Sequence, residues 1–348
     1  MNLVFVFLFT YMYMYFTAAA SDTECPTVNI RTSTDRRTEK SKLRLVQYNA
    51  EWLFIDYYSP MKCPGTGCTW TNDSEAQTHL DHIAGVVSYL NPDIINFCEV
   101  EGCDELQLLS SKLNDKTYVP YLKKGTDTST GQNVGMLTRV DPLVDLYRTE
   151  QTMAYPVPYT TNCNGASGGT TGVSKHYITE FSLNGYDIVM IAAHLIAIPD
   201  DVGRCAQREA QASILQQVID GYVKLDYDVI VLGDFNDYDA EVMDINNDKP
   251  ISNVLDILKG NKGDFAGNYQ LYNIAEEIVQ NQRYSDWWDS DHNCSTFSQR
   301  DFSMIDHVLV TSGLKKNILN AFIYHGYNEY CGKYDSDHFP VVVDFLFT

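Results

Sequence analysis

Lys42 to Asn49 (Lys-Leu-Arg-Leu-Val-Gln-Tyr-Asn), with its apolar Leu43, Leu45 and Val46 among polar positions, is strand-like and leads into Ala50-Glu51. Between Glu75 and Leu90 the apolar positions Leu80, Ile83, Val86, Val87 and Leu90 recur at helical spacing, and Pro92 predicts that the helix stops before it. Asp93 to Cys98 then reads as a strand that delivers Glu99 at its end. Val134 to Thr138 is a further short strand. Lys175 to Leu183 and Tyr186 to Ala193 form a predicted hairpin through Asn184-Gly185, a strong turn pair. A helix over Arg208 to Val223 precedes the apolar strand Tyr227 to Leu232, and Ser303 to Val310 and Val341 to Phe345 are the last strands. Strands arise both in hairpins and after helices, which predicts a mixed α/β fold rather than a purely parallel sheet or an all-β sandwich.

No Gly/Ser/Pro linker or repeat divides the chain, so residues 42–348 are expected to form one domain, with residues 21–41 a polar leader. Before the leader, Leu3 to Phe16 is aliphatic and aromatic, and Ala18 and Ala20 have the spacing of a signal cleavage site. Residues 1–20 therefore read as a secretory signal, although the usual basic start is missing. The run is short for a membrane span, so the expected product is secreted, monomeric and free of a span after processing.

Composition adds to this picture. The chain has 348 residues, 44% of them hydrophobic, a composition that does not suggest disorder and permits a large core. Nine cysteines are many for a cytosolic enzyme and ordinary for an oxidising compartment. The close pairs Cys63/Cys68 and Cys98/Cys103 permit local bridges, long-range pairing is equally open, and the odd number leaves at least one thiol without a partner in the chain. Neither pair has the two-residue gap of a zinc knuckle. Asn72-Asp73-Ser74 and Asn293-Cys294-Ser295 are glycosylation sequons. A formal charge of −21 argues against tight, stoichiometric binding of nucleic acid, but not against turnover of it, because divalent cations invert the potential of an acidic cleft.

The candidate chemistry sits where strands end. Val231-Leu232-Gly233-Asp234-Phe235-Asn236-Asp237 runs an apolar strand into a Gly-Asp-x-Asn turn, and Ser336-Asp337-His338 forms a second such junction. Glu51, Glu99, Asp234 and Asp337 offer the oxygen ligands that suit Mg²⁺, while Asn49 and Asn236 supply neutral dipoles for a phosphate oxygen or a water. His194 and His338 are the proton carriers, and Asp306, a carboxyl among apolar neighbours, needs a partner such as His338.

In this order, Tyr48-Asn49-Ala50-Glu51, Phe97-Cys98-Glu99, Asn133-Val134-Gly135-Met136-Leu137, His194-Leu195, Gly233-Asp234-Phe235-Asn236-Asp237, Ile305-Asp306-His307 and Ser336-Asp337-His338 resemble the endonuclease/exonuclease/phosphatase superfamily. The resemblance runs from residue 43 onward. It implies the DNase I-like fold, a four-layered α/β/β/α sandwich with its site at one mouth of the two sheets. Carried over by position, Glu99 would bind the main Mg²⁺, assisted by Asn49 and Glu51, with Asp337 on the same side. Asp234 and Asn236 would orient the attacking water, and His194 would be the proton donor to the departing oxygen. His338, held by Asp306, would be a general base or a charged phosphate contact. Asn133 and either Lys175 or His176 are candidate phosphate contacts. Arg208 resembles a helix residue of exported bacterial nucleases, with a buried ion pair as the alternative. Mn²⁺ is expected to substitute for Mg²⁺, and a structural Ca²⁺ is left open.

The expected substrate is DNA, with RNA as an alternative, cut with little sequence preference to leave 5′-phosphate ends. A secreted phospholipid phosphodiesterase of the sphingomyelinase type is the rival, and a catalytically dead binding protein a third reading. Trp287-Trp288 reads as packing more readily than as a stacking or lipid-inserting pair.

Overall fold

Eleven of the chain's strands form two sheets that pack face to face. A computed structural model describes residues 25, 27–28, 34–55, 69–70, 72–160, 162–163, 167–289, 299–327 and 335–347. The elements begin with β1 (Lys42–Leu53), α1 (Asp73–Leu90), β2 (Ile94–Val100), α2 (Cys103–Lys112), β3 (Val119–Leu122), β4 (Asn133–Thr138), β5 (Thr152–Tyr155), β6 (Gly169–Gly172), β7 (Lys175–Leu183) and β8 (Tyr186–His194). They continue with α3 (Val202–Val223), β9 (Asp228–Asp234), α4 (Val254–Lys259), β10 (Leu271–Asn273), β11 (Asp286–Trp287), β12 (Phe302–Ser303), β13 (Asp306–Thr311), α5 (Ser312–Lys315), β14 (Ile318–Ile323) and β15 (Val341–Leu346). One sheet has the order β14-β15-β1-β2-β4-β3 and the other β10-β13-β9-β8-β7, with β5-β6 and β11-β12 as separate pairs.

Side-chain alternation explains the layering. Leu43 and Leu45 of β1, Met136 of β4, Met190 and Ala192 of β8, Ile230 and Leu232 of β9 and Val308 of β13 meet in one core between the sheets. The opposite positions, Val46, Tyr48, Ile95 and Phe97, pack on Leu80, Ile83 and Val87 of α1 and Leu106 of α2. Likewise Val189, Ile191, Val229 and Val231 pack on Ile214, Leu215 and Ile219 of α3. The result is the four-layered α/β/β/α sandwich.

The first helix ends where Pro92 predicts, and several other elements depart from expectation. Asn72 accepts a hydrogen bond from Glu75 N and so caps α1, which ends at a left-handed Asn91 just before Pro92. The helix α3 starts at Val202, earlier than Arg208, because Asp201 caps Gly203 and Arg204. The expected strand from Ser303 to Val310 is broken at Met304-Ile305, and only Asp306–Thr311 joins the main sheet. Part of the leader packs on the domain: Asp35 bridges Val140, and Arg37 is buried. Disulfides join Cys25 to Cys103 and Cys163 to Cys205, so the local Cys98/Cys103 bridge does not form and Cys98 is a buried free thiol. Residues 1–20, Cys63, Cys68, Cys294 and Cys331 lie outside the described residues. Among the described residues, no helix is long and apolar enough to cross a membrane.

Candidate active site

The alternation that builds the core also aims the site. Lys175, His194, Asp234 and Asp306 share the inward parity of the second sheet, and their Cα atoms pair in sequence across β7, β8, β9 and β13. Four polar side chains thus stand in one row at the end of an otherwise apolar face. Gly233 makes the row tight: its backbone is left-handed (φ 150°), and a Cβ there would lie 1.7 Å from Ala193 O. Asn49 faces the row from β1, on the same parity as Leu43 and Leu45.

Glu99 arrives by a different device. Phe97 and Glu99 would share the helix-facing side of β2, but the pairing register shifts between Phe97 and Val100 and Glu99 adopts a left-handed backbone (φ 64°). This irregularity turns its carboxyl into the cleft, as bulges beside active sites commonly do. Glu99 Oε2 then accepts from Trp52 N at 3.0 Å.

Asn49 is the hub. Its Nδ2 lies 3.2 Å from Glu99 Oε1, 3.0 Å from Asp234 Oδ2 and 3.3 Å from His338 Nε2. His338 Nδ1 is 2.7 Å from Asp306 Oδ2. His194 Nε2 lies 3.5 Å from Asp234 Oδ2 and 3.4 Å from Lys175 Nζ. Asn236, also left-handed, donates its backbone N–H to Asp234 Oδ1 at 2.9 Å. These groups meet at a cavity of about 530 Å³ whose lining includes Glu99, His194, Asp234, Asn236, Asp337 and His338.

Burial and crowding set the protonation of the site. Burial opposes charge on His338, but the carboxyls of Asp306, Asp337 and Asp286 hold its ring well above the ordinary histidine range. Burial, with the cations of Lys175 and His338, drives His194 well below that range, so this ring is neutral. Burial and the nearby Asp306 push Asp234 up to about 7. Asp337 rises to about 8 through burial, with Asp286 and Glu99 adding like charge and His338 opposing. Carboxyls gathered at such density suit a divalent cation, and the donor set of carboxylate and amide oxygens fits a hard ion. Ligand atoms of Asp286, Asp337 and His338 lie within 4.8 Å of one another, as do those of Asp234, Asp306 and His338.

Not every expected residue reaches the cleft. Glu51 accepts from Thr69 Oγ1 (2.8 Å) and from Asp337 N (3.0 Å), which makes it a brace for the Asp337 loop rather than a free ligand. Asn133 has the helix-facing parity of β4 and spends its amide on Val100 O, Glu101 O, Gly131 O and Gly125 N. His176 is one residue out of phase with Lys175, and its Nε2 accepts from Thr149 N at 2.9 Å. Arg208, fully buried, pairs with Asp237 and donates to the carbonyls of Ile196, Ile198 and Pro199, so its role is the buried ion pair and not substrate contact. Lys175 stands behind His194. His307 lies outside the cleft, its ring held by Asn273 Nδ2 and Asp237 O.

Sequence reasoning missed Asp286. It bridges His338 through the backbone, lies 3.6 Å from His338 Nε2, and is held by Ser303 Oγ. The tryptophans beside it divide: Trp287 is buried in the core, whereas Trp288 is 64% exposed at the cavity mouth.

A two-sheet sandwich with carboxyls and imidazoles joined through one asparagine defines a metal-dependent phosphodiesterase in its catalytic potential. The sequence profile of the Endonuclease/Exonuclease/phosphatase family matches residues 46–338, and the chain belongs to that family. No curated protein matches the chain. Among solved structures it is similar to an endonuclease/exonuclease/phosphatase from Bacteroides vulgatus (17% identity, 88% of this chain and 99% of that one, TM-score 0.54). It is also similar to truncated Caenorhabditis elegans TDP2 (15%, 88% and 98%, TM-score 0.51) and to D. rerio TDP2 complexed with single-strand DNA product (15%, 88% and 99%, TM-score 0.50). At these identities the likeness is one of fold.

Proposed function

We propose that this chain is an exported, Mg²⁺-dependent nuclease that hydrolyses phosphodiester bonds of DNA, and of RNA as a second substrate, with little sequence preference and with 5′-phosphate products. The observation that carries the reading is the Asn49 amide, within hydrogen-bond range of Glu99, Asp234 and His338 at once. Glu99, Asp286 and Asp337 would hold the ion, and Mn²⁺ would replace it. When bound, it supplies charge to a phosphoryl oxygen that the protein alone cannot.

The side chains do the rest. Asp234, with a pKa near the working pH, accepts a proton from the attacking water, which Asn236 helps to orient. His338, charged through Asp306, and the Asn49 amide donate to the non-bridging oxygens as negative charge grows there. His194 is neutral, so it stabilises the departing oxygen by an N–H hydrogen bond; that oxygen takes its proton from solvent, and Asp234 returns the proton it accepted to solvent. Lys175 supports His194 from behind and adds positive potential.

Support for export comes from the Leu3–Phe16 run, the Ala18/Ala20 spacing and the Cys25–Cys103 and Cys163–Cys205 disulfides, which suit an oxidising compartment. Support for nucleic acid comes from the family and from the likeness to a fold solved with single-strand DNA product. The exposed Trp288 at the mouth fits stacking on a base, and equally fits a phospholipid surface. Incubation with plasmid DNA, RNA and sphingomyelin, each with Mg²⁺ and with EDTA, separates these readings. DNA should be cut only with Mg²⁺, giving ends that ligate without prior phosphorylation; cleavage confined to the lipid would overturn the substrate assignment.

A further inference from the structure

The Asn49 amide sits where its strand loses its neighbours. The pairing of β1 with β15 ends at Gln47 and Val341, and the register of β1 with β2 shifts after Asn49. Asn49 O therefore lies buried and past the last β15 partner, where a carbonyl needs a donor from elsewhere. Ser336 Oγ supplies it at 2.7 Å. The same oxygen accepts His338 N at 3.0 Å, so one fully buried hydroxyl joins the backbone that carries the amide hub to the backbone that carries the imidazole.

The two ends of this link are anchored unequally. His338 is fixed from other sides as well: its Nδ1 lies on Asp306 Oδ2 at 2.7 Å, and its carbonyl accepts Tyr327 Oη. The backbone around it is pinned to β11, through Trp287 N to Asp337 O (2.9 Å) and Phe339 N to Ser285 O (2.7 Å). Asn49 opens an irregular stretch instead. Its Oδ1 accepts Glu51 N at 3.0 Å, which settles the amide's orientation and turns Nδ2 to the cleft, but Glu51 and Trp52 are themselves left-handed (φ 42° and 51°). Such a backbone persists only where its surroundings over-determine it. The Glu51 carboxylate braces Asp337 N, and the Asn49 carbonyl is left to Ser336.

We infer that Ser336 is a positioning residue whose hydroxyl sets the 3.3 Å between Asn49 Nδ2 and His338 Nε2, and with it the aim of both donors at one phosphoryl group. Ser336 itself touches neither substrate nor ion. Its consequence for turnover rests on the reading of the site as a phosphodiesterase; its geometry does not. Alanine in its place removes the donor to Asn49 O and the acceptor of His338 N together. The strand end, with fewer other ties, is the part that shifts, and Asn49 Nδ2 draws away from His338. A donor that meets the phosphoryl oxygen only as charge grows there lowers kcat and leaves KM unchanged when it is misplaced.

Crystal structures and steady-state kinetics of the full chain, with and without Ser336→Ala, decide it. In the alanine variant the Asn49 Nδ2 to His338 Nε2 separation should open beyond hydrogen-bond range, while the Asp306–His338 contact is kept. With Mg²⁺ and the chromogenic diester bis(p-nitrophenyl) phosphate, kcat per folded molecule should fall by roughly 10²-fold at an unchanged KM, the usual cost of about 1 Å of misplacement. Ser336→Cys, similar in size but a weak donor and acceptor, should fall between the two. An unaltered separation in the alanine variant overturns the assignment. So does a lower melting temperature with kcat of the folded molecules unchanged, which is what a merely structural serine would give. Should Ser336→Ala not fold, the same two readings on Ser336→Cys decide. An unsubstituted chain inactive on every diester would sink the phosphodiesterase reading instead, and the crystallographic separation would still settle the role of Ser336.

Discussion

Asp306 Oδ2 faces His338, and its other oxygen is held by a chain of buried amides. Tyr177 Oη donates to Asn96 Oδ1 (2.9 Å), Asn96 Nδ2 to Gln47 Oε1 (2.6 Å), and Gln47 Nε2 to Asp306 Oδ1 (3.1 Å). The Asp306–His338 pair was legible in the sequence, because a carboxyl among apolar neighbours needs a partner. Gln47, Asn96 and Tyr177 were not, because only the packed sheets bring β1, β2, β7 and β13 together. Asp306→Asn should leave the circular dichroism spectrum intact and lower kcat by ~10²-fold or more, since His338 loses the group that keeps it charged. Gln47→Leu should cost about 1–3 kcal/mol in denaturant unfolding, the penalty of leaving buried polar groups without partners. His176 shows the opposite fate of an imidazole. Burial, with Arg148 nearby, lowers it to about 4, below its unfolded value of about 6.5. The unfolded chain therefore binds the proton first, and stability present above pH ~6.5 falls by roughly 3 kcal/mol as pH drops to ~4. His176→Gln, which keeps an acceptor for Thr149 N, should flatten that part of the stability curve in urea titrations.

At the scale of elements, α3 governs the site without touching it. Arg208 reaches from α3 to the carbonyls of Ile196, Ile198 and Pro199, just past His194, and to Asp237, just past Asp234 and Asn236. One buried cation thus registers the loops at the ends of β8 and β9. Arg208→Met leaves Asp237 buried without its partner, a loss of about 3–5 kcal/mol by the usual cost of breaking such a pair. The melting temperature should fall, and in whatever fraction stays folded kcat should suffer more than KM; a KM effect alone would return Arg208 to substrate contact. The motifs were readable because catalytic groups cluster where strands end. Which face each end presents was not readable: a single position of phase sends Lys175 inward and His176 outward, and on β4 it turns Asn133 toward the helices. Asp286 escaped notice because β11 is two residues long and has no period to detect.

For the whole molecule, the dominant quantity is the formal charge of −21. A basic nucleic-acid binder loses affinity as salt rises, because each neutralised phosphate had released a counterion. Here the long-range term has the opposite sign: an acidic protein repels a polyanion, and salt screens the repulsion with a Debye length of about 30 Å at 0.01 M and about 8 Å at 0.15 M. On the proposed reading, attraction comes from the cleft, where His338 and the divalent ions that the carboxyls would hold act over contact distances that salt screens far less. With Mg²⁺ held constant, kcat/KM on DNA should therefore rise between roughly 0.01 and 0.15 M NaCl. A zwitterionic phospholipid carries no net charge and should show a flat response over the same range. A steep fall with salt on DNA would instead mean that a basic track carries the binding, and substrate contacts would have to be sought outside the cleft.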